Sequence, residues 1–204
     1  MSTLELPDLP ITFRREGPRT APDPHPVPGG VKVHCGPKSD LFLDPAGDAE
    51  RPDAERFVAP VDGDFQLAAR VTVDFREVFD SGVLIGYVDE DNWFKLCAEL
   101  DPERVARVVS VVTRDGASDD VNSWPIGLDG VHLRISRLGT AFALHASDDG
   151  QLWRMVRYFA MSGGGDRPLS IGMLAQSPRG TGTSAEFTGV TFARTRLADV
   201  RDGS

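Results

Sequence analysis

The chain has 204 residues, a formal net charge of −9 and two cysteines. This length fits one large β-domain or two small ones, and about 70% of the unfolded surface is buried on folding at this size, so no covalent staple is required. The acidic balance argues against nucleic acid or an anionic membrane as a partner, because both need a basic patch.

Leu9 to Arg14 reads as an edge strand. Residues 17–30 carry Pro18, Pro22, Pro24, Pro26 and Pro28. Each proline lacks a donor and fixes φ, which excludes a helix or a central strand and predicts an extended arm or semi-rigid linker. A proline-rich ligand for another domain is a second reading of the same residues. Val31 to Cys35 alternates and predicts a strand, and Ser39 to Pro45 predicts a second short one ended by the proline. Asp48 to Asp53 is a charged loop, and Phe57 to Ala59 a brief strand.

The centre of the pattern is Gly63 to Leu100. Phe65, Leu67, Ala69, Val71, Val73 and Phe75 recur at every second position, the period of a half-buried strand. Val83 to Val88 is a continuous apolar run of strand length. Phe94, Leu96, Ala98 and Leu100 alternate with Trp93, Lys95, Cys97 and Glu99, after a hairpin turn at Asp89–Asn92. One face of these strands builds a core; the other carries Arg70, Lys95 and Glu99, which a core would not choose.

A turn at Asp101–Glu103 leads into Val105–Thr113, apolar on both faces near its middle and so expected to be buried on both sides. Asp115-Gly116 marks a turn, and Ala117 to Trp124 is a polar loop ending before Pro125. Val131–Ile135 and Phe142–Ala146 pair about Leu138–Thr140. Asp148–Gly150 turns into Trp153–Phe159. Gly163–Asp166 is a flexible loop, and Ser170–Ala175 and Ala185–Ala193 are the last strands, separated by a loop at Ser177–Gly182.

No apolar period of 3.6 residues persists beyond about two turns. Short strands punctuated by Gly, Asp and Pro predict an all-β sandwich of two antiparallel sheets. The expected organisation is an N-terminal segment and proline-rich arm over 1–30, the sandwich over 31–195 and a tail over 196–204. The expected core is Phe65, Leu67, Val71, Val73, Ile85, Leu96, Val109, Val111, Leu133, Ile135, Phe142, Leu144, Ile171 and Phe187. Cys35 and Cys97 do not make a disulfide framework, and Cys97 reads as a small buried residue. The first ten residues lack a basic, then apolar, leader, and no run approaches the ~20 apolar residues of a membrane helix, so the expected location is cytoplasmic.

Several motifs stand in order: G-D-F-x-L-x-A-x-V (Gly63 to Val71), G-V-x-x-G-x (Gly82 to Tyr87), N-W-F-K-x-x-x-E (Asn92 to Glu99), S-D-D before a Trp (Ser118 to Trp124), L-R-I-S-R (Leu133 to Arg137) and S-D-D-G-x-x-W (Ser147 to Trp153). Together they resemble the family related to the yeast regulator of enolase, in the concanavalin A-like lectin/glucanase superfamily. The resemblance covers about residues 31–195. It implies a jelly-roll sandwich with one curved sheet and a groove on its concave side. It implies little about chemistry.

Lys95 and Glu99 are four residues apart in one strand, so they share a face with Trp93 and lie about 13 Å apart along it. In a jelly roll that face would line the groove, where Trp93 could stack on a sugar ring while the charged groups donate and accept. Arg134 is a candidate to join them, as are Asp119 and Trp124 from the polar loop. The family's Ser-Asp-Trp-like signal falls on that loop, but Asp120 stands where an aromatic is expected. The plainer reading of all six is a solvated sheet face and an Asx-rich loop.

Glu99, Asp101 and Glu103 have the E-x-D-x-E spacing of retaining glucanases, but Pro102 inside it favours a hairpin turn over a catalytic strand. Gly150 is expected at positive φ in a tight turn above Trp153. The four histidines show no ligand spacing, and Asp89–Asn92 lacks the spaced oxygens of a calcium loop. No phosphate loop or nucleophile elbow is present. No metal, cofactor or catalytic residue is therefore assigned. Three classes stay open: a non-catalytic binder of carbohydrate or a small polyol, a protein-interaction or regulatory module of central metabolism, and a glycoside hydrolase.

Overall fold

A computed structural model describes residues 3–6, 9–47, 52–161 and 167–204. The alternating stretches become strands: β1 (Thr3–Leu4), β2 (Phe13–Glu16), β3 (His25–Val27), β4 (Gly30–His34), β5 (Arg56–Val61), β6 (Phe65–Val73), β7 (Ser81–Asp89), β8 (Asn92–Leu100), β9 (Ala106–Arg114), β10 (Ala117–Pro125), β11 (Val131–Leu138), β12 (Ala141–Ser147), β13 (Arg154–Ala160), β14 (Leu169–Gln176) and β15 (Ser184–Ala193). One sheet has the order β1-β2-β5-β14-β7-β8-β9-β10 and the other β13-β12-β11-β6-β15-β4-β3. The described pairings are antiparallel. Among the described residues there is no helix, and hence none long and apolar enough to cross a membrane.

The two sheets meet across one core, in which Leu67, Val71, Leu133 and Phe187 face Leu84, Phe94, Leu96 and Ile171. Phe94 packs against Phe142 and Phe159, with ring centroids 4.7 and 5.2 Å away. Gly86 makes room for it: a Cβ there would stand 2.1 Å from the Phe94 ring. Each expected core residue is buried. Ile85, Val109 and Val111, however, belong to a second cluster outside the sandwich, with Trp93, Cys97, Leu41 and Leu43.

The sheet assignment corrects several expectations. The three strands of Gly63–Leu100 do not form one sheet: β6 pairs with β11 and β15, whereas β7 and β8 pair with each other. Arg70 therefore lies in the other sheet from Lys95 and Glu99. The end of the proline-rich arm is an edge strand, β3, where Pro26 is tolerated because one side of an edge needs no donor. Ala117–Trp124 is not a loop but the edge strand β10, polar because much of it is exposed. Ser39–Pro45 joins no ladder; Ser39 makes an isolated bridge to Ser177, and Leu43 bonds to Ser118. The loop expected at Gly163–Asp166 and residues 48–51 of the charged loop lie outside the described residues.

Candidate functional site

On β8 the parity argued from sequence holds. Phe94, Leu96 and Ala98 enter the core between the sheets, so Trp93, Lys95, Cys97 and Glu99 face outward. The register sets Ser81 opposite Glu99 and Ile85 opposite Lys95 on β7, and Val111 opposite Lys95 on β9. That outer face is crossed by residues 39–43. Leu41 and Leu43 pack on Trp93, Val83 and Cys97, which is why β8 is buried on both faces. Asp40 and Phe42 alternate with them and line a cavity of about 420 Å³ with Lys95, Glu99, Ser81 and Gln176. This is a volume typical of small-molecule sites, which span ~300–1,000 Å³.

The floor is polar and connected. Lys95 Nζ donates to Gln176 Oε1 at 3.0 Å, and Gln176 Nε2 donates to Asp40 Oδ1 at 2.8 Å. Lys95 Nζ is also 3.7 Å from Asp40 Oδ1. Burial works against the Lys95 charge, but Asp40 above all offsets it and holds the ammonium pKa above the usual lysine value. Among the described residues Glu99 has no such hydrogen-bonded partner of its own. Burial pushes its carboxyl up to about 7, against the pull of Lys95. Glu99 is thus a mixed acid and carboxylate at neutral pH, able to donate as well as accept. Ser81 is buried, and its Oγ has no hydrogen-bond partner among the described residues.

The walls are aromatic. Phe42 comes from the crossing segment and Phe79 from the loop before β7. Phe79 has φ +68°, a left-handed conformation unusual for a bulky side chain, and its N–H donates to Leu100 O at 2.7 Å. The fully buried Asp80 fixes this loop: its Oδ2 accepts from Arg76 N and Glu77 N, both at 2.9 Å, and its Oδ1 from Ser177 Oγ at 2.6 Å. Arg179 lies over the Phe79 ring at 4.8 Å, beside Pro178. Asp120 closes the list of charged groups at the β10 side.

Of the six residues expected at the site, only Lys95 and Glu99 line this cavity. Trp93 shares their face but is only 1% exposed, packed against Leu41 and Leu43 on the other side of the crossing segment. Asp119 has the opposite parity to Asp120 and pairs with Arg157 of β13, tying the two sheets together at their edge. Trp124 packs against the inter-sheet core under Arg154, 5.0 Å from its ring. Arg134 lies in the other sheet, on its outer face, stacked 4.1 Å from Trp153 and donating to Gly203 O of the C-terminal tail. Burial lowers its pKa to about 10. The Asp101 turn is as Pro102 implied: Asp101 accepts from Arg104 N and Val105 N and pairs with Arg107.

Phe42, Phe79, Ser81, Gln176 and Asp40 were not among the sequence candidates. They come from three separate stretches, and only the Lys95–Glu99 spacing signals the place where they meet. Among the described residues, no three His, Cys, Asp or Glu side chains converge as a metal site. Cys97 is fully buried, and burial pushes its thiol far up, so it is not a nucleophile at neutral pH.

The fold is similar to several solved structures at low identity. A functionally unknown protein from Saccharomyces cerevisiae shares 18% identity, with 89% of this chain and 95% of that chain covered and a TM-score of 0.78. A xylan beta-1,4-xylosidase from Bacillus halodurans shares 14% identity over 91% of this chain, at a TM-score of 0.62. This chain spans only 41% of the length of that enzyme. A legume lectin-like domain from Entamoeba histolytica shares 11% identity, covers 90% of each chain and has a TM-score of 0.53. At these identities the likeness is one of fold alone. No curated protein is a significant sequence match. Residues 21–195, which include the end of the proline-rich arm, match one family model, and the chain belongs to that family, described as a protein of unknown function, DUF1349.

Proposed function

We propose that the cavity between β8 and the crossing segment binds a neutral polyhydroxylated ligand, a sugar or small polyol, without turning it over. The observation that carries this reading is the floor. Glu99 and Ser81 bring a carboxyl and a hydroxyl with no hydrogen-bond partner among the described residues, beside the Lys95–Gln176–Asp40 chain that holds the floor in place. Phe42 and Phe79 supply flat apolar surface beside them. Hydroxyl-rich rings need that combination. Lys95 and Arg179 balance Asp40 and Asp120, and Glu99 is uncharged below about pH 7, which favours a neutral ligand. Likeness to a lectin-like domain and to a xylosidase agrees with this, though only at the level of fold.

One observation favours a second reading, a glycoside hydrolase. A carboxyl titrating at about 7 in a cleft, with the Asp120 carboxylate on the same lining, is what a general acid requires. The protein-interaction alternative, and the tie to the yeast regulator of enolase with it, has less support. Among the described residues the large exposed apolar side chains are Val121, Leu128, Leu152 and Tyr158, each on a different strand or turn.

A thermal-shift screen of monosaccharides, oligosaccharides and polyols tests the proposal, since a ligand at 100 times its Kd stabilises by ~2.7 kcal/mol. A shift that Glu99→Ala and Gln176→Ala abolish is expected. A screen with no hit would remove the carbohydrate reading. Release of reducing sugar that Glu99→Gln abolishes would replace it with the hydrolase.

A further inference from the structure

Residues 39–43 are a strap pinned at both ends. At one end Ser177 N donates to Ser39 O and Oγ, at 3.1 and 3.0 Å, just past β14. At the other, Leu43 N donates to Ser118 Oγ at 2.9 Å and Ser118 N to Leu43 O at 2.8 Å, on β10. Between these points β7, β8 and β9 intervene in the sheet order. The strap therefore runs across the strands and divides the outer face. On the far side lies a separate cavity of about 180 Å³ over Trp93 and Tyr87. No ligand can run along the strands from one cavity into the other.

The path parallel to the strap is also stopped at one end. β5 pairs with β14 only as far as Phe57 and Met173, so Gln176 lies beyond the end of its neighbour strand. The space alongside it is taken by the bridge from Ser39 to Ser177, followed by Pro178 and Arg179. At the opposite end Asp120 sits exposed on the edge strand β10. The site is a dead end entered from the β10 edge.

We infer that the pocket accepts free sugars of one or two rings, or the terminal unit of a longer chain, and excludes the interior of a polysaccharide. This rests on the carbohydrate reading above and adds the class of sugar to it. An interior segment must leave a site at both ends. Here one exit is filled by the Ser39–Ser177 bridge and the other side is closed by the strap. The volume of about 420 Å³ agrees, standing near the small end of ligand pockets.

Calorimetric titration with a panel tests this: monosaccharides, their linear oligomers from two to six rings, and cyclic oligomers, which have no ends. Affinity is expected to level off by the disaccharide, changing less than about threefold out to the hexamer, and cyclic forms are expected to bind at least ~10-fold more weakly than linear ones of the same linkage. Affinity that climbs ~10-fold or more between dimer and hexamer, or equal binding of linear and cyclic forms, would overturn the dead end while leaving the carbohydrate reading intact. No binding by any member of the panel would overturn both.

Discussion

Leu43 and Ser118, 75 residues apart in sequence, hold each other by two hydrogen bonds, one in each direction. The Ser118 hydroxyl also lies 2.8 Å from Thr113 Oγ1. This one contact decides that the strap lies across the sheet, and so that the cavity over Lys95 and Glu99 has a wall. Ser118→Ala keeps the backbone bond and removes the other two. Its expected cost is about 1–2 kcal/mol, because the buried Leu43 N–H is left unmet. Hydrogen exchange at Leu43 should speed up in the variant, while core amides of β6 and β11 keep their protection.

Glu99 makes stability depend on pH in an identifiable window. Its carboxyl titrates at about 7 in the folded state and near 4.5, the ordinary glutamate value, in the unfolded one. Between those values the folded state holds more protons, so stability falls as pH rises and stays lower above about 7. Glu99→Gln removes the effect. Relative to the unsubstituted protein, the variant should gain about 1–3 kcal/mol between about pH 5 and about pH 8, measured by urea unfolding at each pH. A difference that is flat with pH would mean that the carboxyl is better solvated than its position indicates.

Trp93 serves packing and not the ligand. Trp93→Ala should cost about 3–5 kcal/mol, as other large-to-small changes do in a closed cluster. Trp93→Phe, which keeps most of the covered surface, should leave ligand affinity within about twofold, a change of at most ~0.4 kcal/mol. In the core between the sheets, Leu133→Ala should cost about 2–5 kcal/mol by the same cavity argument.

The fold was legible because both signals it needs are local. Alternation marks strands such as β6, and an apolar run marks β7. Alternation reports that a face is apolar, however, not what covers it. That is why Ile85, Val109 and Val111 were rightly expected to be buried, yet lie beneath Leu41 and Leu43 rather than between the sheets. The strap was hidden for the same reason: Asp40, Leu41, Phe42 and Leu43 alternate as a strand does, although they join no ladder. β10 was hidden because an exposed edge strand has no apolar face to announce it. Without a strand there was no parity to separate Asp119, at the sandwich edge, from Asp120, in the cavity. Lys95 and Glu99 were legible from spacing alone. Gln176 and Phe79 were not, since long-range pairing brings them there.

Arg134 provides a control on the opposite face. It anchors the C-terminal tail through Gly203 O, beside His145, whose Nε2 lies 2.8 Å from Val200 O. Arg134→Ala should release residues near Leu197 and Val200 to limited proteolysis and cost about 1–2 kcal/mol, since a buried bond and the Trp153 stacking are both lost.

Calorimetry on the sugar that gives the largest thermal shift tests the central claim most directly. It compares the unsubstituted protein with Glu99→Ala, Gln176→Ala and Arg134→Ala. The two cavity substitutions should each weaken binding by ~10-fold or more, about 1.4 kcal/mol, and Arg134→Ala should leave it unchanged. Affinity that survives both cavity substitutions, or that is lost only in Arg134→Ala, would contradict a binding site on the outer face of β8.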